Sequence, residues 1–141
     1  METQILLTRL FITLHITLYR LTGGILGGRL AESRTLLLTT TGRKSGQPRT
    51  TPLRYLAHGE AYLIVASNWG KANPPAWYLN LQANSTVTIQ VMNQRMTALA
   101  ETAPADQQDA LYHQFIAVER RFVDYQKTAG RAIPVVILHP Q

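Results

Sequence analysis

One continuous apolar run, Ala61 to Ser67 (AYLIVAS), constrains the fold of this chain more than any other feature. It is too short for a helix of ordinary length and rich in strand-forming side chains, so it reads as a strand buried on both faces. His58-Gly59-Glu60 precedes it and is a hairpin signal. Its partner is therefore the segment before, Arg49 to Ala57 (RTTPLRYLA), where Pro52 marks an edge or a bulge. Thr35 to Thr41 (TLLLTTT), closed by Gly42, is another strand ending in a turn. Thr86 to Met92 alternates with period two and turns at Asn93-Gln94 into Arg95 to Glu101, and Ile133 to His139 is a last strand. Pro74-Pro75 opens a short helical run, Ala76 to Leu81, and Pro104 with Asp106 and Asp109 opens a longer one. The stripe Leu111, Phe115, Val118 and Phe122 gives that longer helix a core face. The order of helix, hairpin strands, helix and strand predicts an antiparallel barrel or sheet flanked by helices.

The most apolar segment, Ile5 to Leu21, is a helix rather than a membrane span. Arg9, His15 and Arg20 interrupt it, where a span needs about 20 apolar residues. Glu2 precedes it and no cleavage site follows, so a signal peptide is not expected either. Leu7, Leu10, Phe11, Leu14, Leu18 and Leu21 share one stripe, with Arg9, Thr13 and Arg20 on the other side. The preferred reading packs this stripe on the domain. The alternative gives it a peripheral contact with a bilayer. Gly23, Gly24, Gly27 and Gly28 then form a flexible connection. Residues 1–30 are thus expected to be an N-terminal helix and its glycine-rich connection, and residues 31–141 the β domain, one domain overall. A cytoplasmic protein, membrane-associated if the helix meets lipid, is the expectation.

The charge is uneven. The chain carries +6, yet residues 1–71 hold nine Lys/Arg against three Asp/Glu, while residues 72–141 hold five of each. With no cysteine, there are no disulfides, thiolate metal sites or cysteine nucleophiles. His15, His58, His113 and His139 are dispersed and show no metal-ligand spacing, so no metal is expected. No Gly-x-Ser-x-Gly turn is present. Nucleic acid is not an expected partner, because the cations concentrate in a turn without interleaved exposed aromatics.

Three clusters carry chemistry. The loop Thr40 to Gly46 (TTGRKSG) combines backbone N–H groups, two cations and hydroxyls, and suits a phosphate or carboxylate. Its order is wrong for a nucleotide-triphosphatase loop, and taken alone it reads as a solvated turn. Arg49 lies at the foot of the next strand and can return to the same anion. Ser67-Asn68-Trp69-Gly70-Lys71 leaves the buried strand at what would be a pocket mouth, close to Pro75 to Leu81 (PAWYLNL). Trp77 and Leu81 also read as the core face of a short helix. Phe122, Tyr125, Gln126 and Arg131 form the third cluster, either core or the wall of a planar substrate. An anion loop and aromatic walls without an evident acid, base or nucleophile fit chemistry supplied by an organic cofactor.

Together these clusters resemble the deazaflavin-dependent nitroreductase and quinone reductase family, which binds coenzyme F(420) in a split β-barrel. The resemblance runs from Leu18 to Pro140 and rests on LYRLTGG from Leu18, LLLTTTGRKSG from Leu36, Ala66-Ser67, PAWYLNL from Pro75, Tyr125-Gln126 and RAIPVV from Arg131. It implies a mainly β split barrel of the flavin-reductase and pyridoxamine-phosphate-oxidase type, as monomer or homodimer. It implies that Gly42, Arg43, Lys44, Ser45 and Arg49 hold the phosphate and carboxylate tail of the cofactor. Pro52, Ser67 and Asn68 would lie along the deazaflavin ring, with Trp77 and Asn80 supporting it, and Ser67 and Tyr125 would stand at the chemistry. The implied reaction passes a hydride from reduced F(420) to a quinone, a nitroaromatic or a similar planar acceptor. A flavin mononucleotide enzyme and a non-enzymatic carrier of a hydrophobic ligand are the alternatives. The chain departs from the family in having Asn68 where many relatives have lysine, and Glu119 and Phe122 where substrate-facing tyrosines occur.

Overall fold

The computed structural model describes residues 2–23 and 34–141. Gly24, Gly27 and Gly28 of the expected connection, and the boundary at residue 30, lie outside the described residues. The described elements run α1 (Glu2–Leu21), β1 (Thr35–Thr41), β2 (Pro48–Arg54), β3 (Leu56–His58), β4 (Ala61–Val65), α2 (Ala76–Ala83), β5 (Thr86–Val91), β6 (Gln94–Thr102), α3 (Ala105–Val118), α4 (Arg121–Ala129) and β7 (Val135–Pro140). They form one seven-stranded sheet in the order β2-β1-β5-β6-β7-β4-β3, antiparallel at every pairing. β2 also comes against β4, and Tyr55 meets Tyr62 edge to face at 5.5 Å. The sheet is therefore curled into a half-barrel, and Pro52 sits on its edge strand.

Continuous apolar strands occur where both faces are covered. Along β4 and β7 successive residues alternate between two cores. Ile64, Val136 and Leu138 point into the curl with Leu36, Leu38 and Ile89, where α2 closes it with Trp77, Tyr78 and Leu81. Leu63, Val65, Val135 and Ile137 face outward onto Leu111, Tyr112, Phe115 and Phe122 of α3 and α4. Each fully buried side chain of this kind stabilises by about 1.5–3 kcal/mol relative to exposure. Gln108 locks α3 to the last strand: its Nε2 donates to the Ile133 carbonyl at 2.6 Å, and its Oε1 accepts from the Val135 N–H at 2.9 Å.

Three expectations are corrected. The segment Arg49 to Ala57 is two strands, because Tyr55 turns its backbone N–H to the Arg34 carbonyl and its ring into the core. The second long helix is broken. Glu119 is extended at φ −152° and ψ 117°, separating α3 from α4, so Phe122 and Tyr125 belong to a helix of their own. Val118, expected on the core stripe, is exposed, since the chain leaves the helix just beyond it. The Glu119 carboxylate pairs with both Arg54 and Arg121, which offsets the broken turn and ties it to β2.

The third correction concerns α1. Leu7, Leu10, Phe11, Leu14, Leu18 and Leu21 are exposed; the leucine stripe does not pack on the barrel. Tyr19 is the buried residue of this helix. Its hydroxyl donates to the Gln90 carbonyl at 3.2 Å and accepts from the Met92 N–H at 2.7 Å, pinning α1 to the β5–β6 turn. Gly23, with φ +61°, lies so near Asn93 that an added Cβ would sit 3.0 Å from its Oδ1. These polar contacts set the rotation of α1, and they leave Arg9 and Thr13 exposed on the side that lines the open groove beside the β1–β2 turn.

Candidate functional site

The turn after β1 is built to hold its backbone N–H groups in a fixed array. The Gly42 N–H donates to the Gln47 carbonyl at 2.8 Å, and the Gly46 N–H donates to the Gly42 carbonyl at 2.8 Å. Ser45 Oγ accepts from the Gln47 N–H at 3.1 Å. Gly46 takes φ +71°, a left-handed conformation that favours glycine. A Cβ on Gly42 would lie 2.6 Å from Ser45 Oγ, so glycine is what lets this turn close.

Asn80 of α2 orients the charged end of the turn. It is buried, and each of its amide atoms is used. Oδ1 accepts from the Arg43 backbone N–H at 3.1 Å and from Arg43 Nη1 at 3.2 Å. Nδ2 donates to the buried Thr40 hydroxyl at 3.2 Å. In this geometry Asn80 acts through Arg43.

Beside the turn lies an open groove of about 810 Å³. Arg43, Lys44, Ser45 and Arg49 line one side, with Gly42, Trp77 and Asn80 at its floor and α1 opposite. Among the described residues no carboxylate lines it, and none of Arg9, Arg43, Lys44 and Arg49 forms an ion pair. Charges of one sign gathered in a groove attract an anionic ligand and raise its local concentration. Trp77 both packs in the core and lines the groove.

The other sequence candidates form a separate group. Asn68, Trp69 and Gly70 make a short 3-10 turn with φ of +47°, +59° and +78°. Two left-handed non-glycine residues in succession are costly and persist only when surroundings hold them. Arg131 does so. Its Nη2 donates to the carbonyls of Ala66 at 3.1 Å and Ser67 at 3.3 Å, and its Nε donates to that of Lys71 at 3.2 Å. Asn68 Nδ2 donates to the Asn73 carbonyl at 2.9 Å. Gly70 lies against Tyr125, where a Cβ would meet the ring at 3.1 Å and Cα at 3.2 Å. Tyr125 stacks edge to face on Phe122 at 5.5 Å. Ser67, Asn68 and Tyr125 therefore share one neighbourhood, while Pro52 lies on β2 opposite Leu37; none of these four lines the groove.

The family model described as F(420)H(2)-dependent quinone reductase matches residues 11–140. The chain belongs to this family. An F(420)H(2)-dependent quinone reductase of Mycobacterium tuberculosis is 43% identical over 129 residues, covering 89% of this chain and 87% of that one. A solved F(420)H(2)-dependent reductase is 31% identical with a TM-score of 0.68, over 74% of this chain and 93% of its own. A second solved chain, described as a domain-swapped dimer, is 28% identical with a TM-score of 0.72, over 99% of this chain and 100% of its own. The split-barrel fold is also that of pyridoxamine-phosphate-oxidase-like chains, whose identity to this one carries the fold alone. For a member of the quinone reductase family, the groove has the right donor chemistry: cations outside any ion pair among the described residues, and a tryptophan, fit a planar cofactor with an anionic tail. Sequence reading missed the α1 side of this groove, Arg9, Ile12, Thr13 and Ile16. The one-turn spacing of Arg9 and Thr13 is the only sequence signal for this side, and it is weaker than the leucine stripe opposite.

Proposed function

We propose that this protein is an oxidoreductase that uses reduced F(420) to reduce a quinone, with nitroaromatics as further acceptors. The observation that carries the reading is the groove itself, lined by Arg9, Arg43, Lys44 and Arg49 and, among the described residues, by no carboxylate. When bound, reduced F(420) supplies a hydride from its C5 carbon, which with a proton takes a quinone to its hydroquinone. Arg43, Lys44 and Arg49 would bind the phosphate and carboxylate tail, assisted by the Ser45 hydroxyl and by the Lys44 and Ser45 N–H groups, since those of Gly42, Arg43, Gly46 and Gln47 donate within the protein. Asn80 keeps Arg43 in place. Trp77 would support the ring from the groove, and Pro52, Ser67 and Asn68, which lie outside the groove lining, would flank the ring beyond it. Tyr125, packed on the Asn68–Gly70 turn, shapes the acceptor side.

The outward leucine face of α1 supports a peripheral contact with an anionic bilayer, because the whole charge excess lies in residues 1–71. Among the described residues no helix is long and apolar enough to cross a membrane. A homodimer is the other occupant, since a related chain is a domain-swapped dimer.

Fluorescence titration with F(420) and with flavin mononucleotide tests the cofactor, and oxidation of reduced F(420) by menadione tests the reaction. The expected result is micromolar or tighter F(420) binding and menadione-dependent oxidation. Binding of flavin mononucleotide with none of F(420) overturns the assignment. Binding of F(420) with no turnover on menadione or a nitroaromatic makes the protein a carrier.

A further inference from the structure

The side of α1 that faces the groove has no part in the reading above. A helix with a leucine stripe normally buries it, and α1 does the reverse. Tyr19 fixes its rotation through two hydrogen bonds, and Arg20 Nη2 reaches Thr50 Oγ1 on β2 at 3.4 Å. A rigid helix anchored there carries Arg9 along the groove, about 15 Å from Tyr19 at 1.5 Å rise per residue. Arg9, Ile12, Thr13 and Ile16 line the same groove as Arg43, Lys44 and Arg49. Arg9 is exposed and forms no ion pair among the described residues. A fourth cation so placed extends the positive potential of the groove along α1, where it favours an anionic group of the ligand.

We infer that α1 is the outer wall of the cofactor groove, and that Arg9, with the Thr13 hydroxyl one turn on, binds carboxylates of the cofactor tail beyond those held from the barrel side. Ile12 and Ile16 supply the apolar surface between these polar contacts. The inference rests on the F(420) reading and adds a second, helix-borne half to its tail site. It makes the affinity of this protein depend on tail length, because a short tail does not reach Arg9.

The test is fluorescence titration of the full chain with tailed F(420) and with its tail-free deazaflavin–ribitol core. Arg9→Gln is expected to raise Kd for tailed F(420) about five- to thirtyfold, the value of one charge-assisted contact, and to leave Kd for the core within about twofold. Arg9→Lys recovers part of the loss, and 0.5 M salt narrows the difference. Thr13→Glu, at another exposed position of the same face, puts a carboxylate into the groove and weakens tailed F(420) in the same sense. Unchanged tailed binding in Arg9→Gln, with clear weakening in Lys44→Gln, overturns the α1 subsite and leaves the function standing. Equal losses for tailed and tail-free cofactor also overturn it. An unsubstituted chain that binds neither form removes the function and this inference together.

Discussion

Asn80→Ala is expected to damage stability and cofactor affinity at once, because one buried amide serves both. Asn80 is 4% exposed and Thr40 2%. The substitution removes two hydrogen bonds to Arg43 and one to Thr40. A neutral hydrogen bond contributes about 0.5–1.5 kcal/mol net, one to a charged group about 1.5–3, and an orphaned buried group costs about 1–3 kcal/mol. Arg43 is exposed, and water replaces most of what its guanidinium loses. Thr40 has no such access. The sum is about 2–4 kcal/mol, or a fall in Tm of about 7–14 °C for a chain of this size. Affinity for F(420) should fall about tenfold, since an unfixed Arg43 must be ordered on binding. Asn80→Asp separates the two effects: it keeps an acceptor for Arg43 but places a negative charge beside the anion site, so affinity falls further than stability. The assays are thermal melts by circular dichroism and F(420) fluorescence titration. An Asn80→Ala protein melting within about 2 °C of the parent, with unchanged Kd, refutes the assignment of Asn80 as the positioning residue for Arg43.

Glu119→Gln should destabilise by about 1–3 kcal/mol in urea unfolding, because it leaves Arg54 and Arg121 without their shared carboxylate at the α3–α4 break; an unchanged midpoint would mean the break is held by Phe122 packing alone. Burial pushes the Tyr112 hydroxyl up to about 12, with the Tyr125 phenol adding and Arg131 opposing, and burial raises Tyr19 against the opposing Met92 N–H. The folded chain thus keeps protons that the unfolded chain releases above about pH 10, so this stability is complete below that pH and is lost as pH rises toward 12. Tyr112→Phe should flatten that alkaline limb and cost about 1 kcal/mol at neutral pH through loss of the 2.6 Å bond to the Phe122 carbonyl; a limb as steep as the parent's rejects Tyr112 as its source. The protein should float with vesicles containing anionic lipid, and a Leu7→Gln, Leu10→Gln, Leu14→Gln variant should not. Absence of flotation with a dimer in gel filtration would give the leucine face to a second copy.

The half-barrel was readable because strands buried on both faces leave unbroken apolar runs, as at Ala61–Val65 and Val135–Leu138, and because turn residues stand between them. Pro52 on an edge strand was readable for the same local reason: a residue without an N–H has few places in a sheet. The helix break at Glu119 was not. Its cause is a pair of arginines, one of them on β2, and no spacing rule links residue 54 to residue 119. Asn80 was legible as a site residue only through the family resemblance, and its partners Thr40 and Arg43 come from a distant strand and turn. Legibility thus followed sequence distance. Contacts made within a hairpin or a helix turn left a pattern, and contacts closed by tertiary folding did not.

The α1 helix shows why the same rule misled where the pattern was strongest. The leucine stripe is one apolar side, but Ile12, Ile16 and Tyr19 form another, and periodicity alone does not rank them. Of that side only Tyr19 is buried, held by two hydrogen bonds of its hydroxyl to the β5–β6 turn, while Ile16 is half-buried and Ile12 stays exposed. Burying even half of the leucine stripe would have stabilised the chain by several kcal/mol, so its exposure is a cost that the fold alone does not recover. Rotating the helix to bury it would also remove Arg9 and Thr13 from the groove. If Arg9 meets the cofactor tail and the leucine face meets an apolar partner, this orientation gives up burial on the domain and recovers it in binding, and the Arg9→Gln titration and the vesicle flotation test the two faces separately.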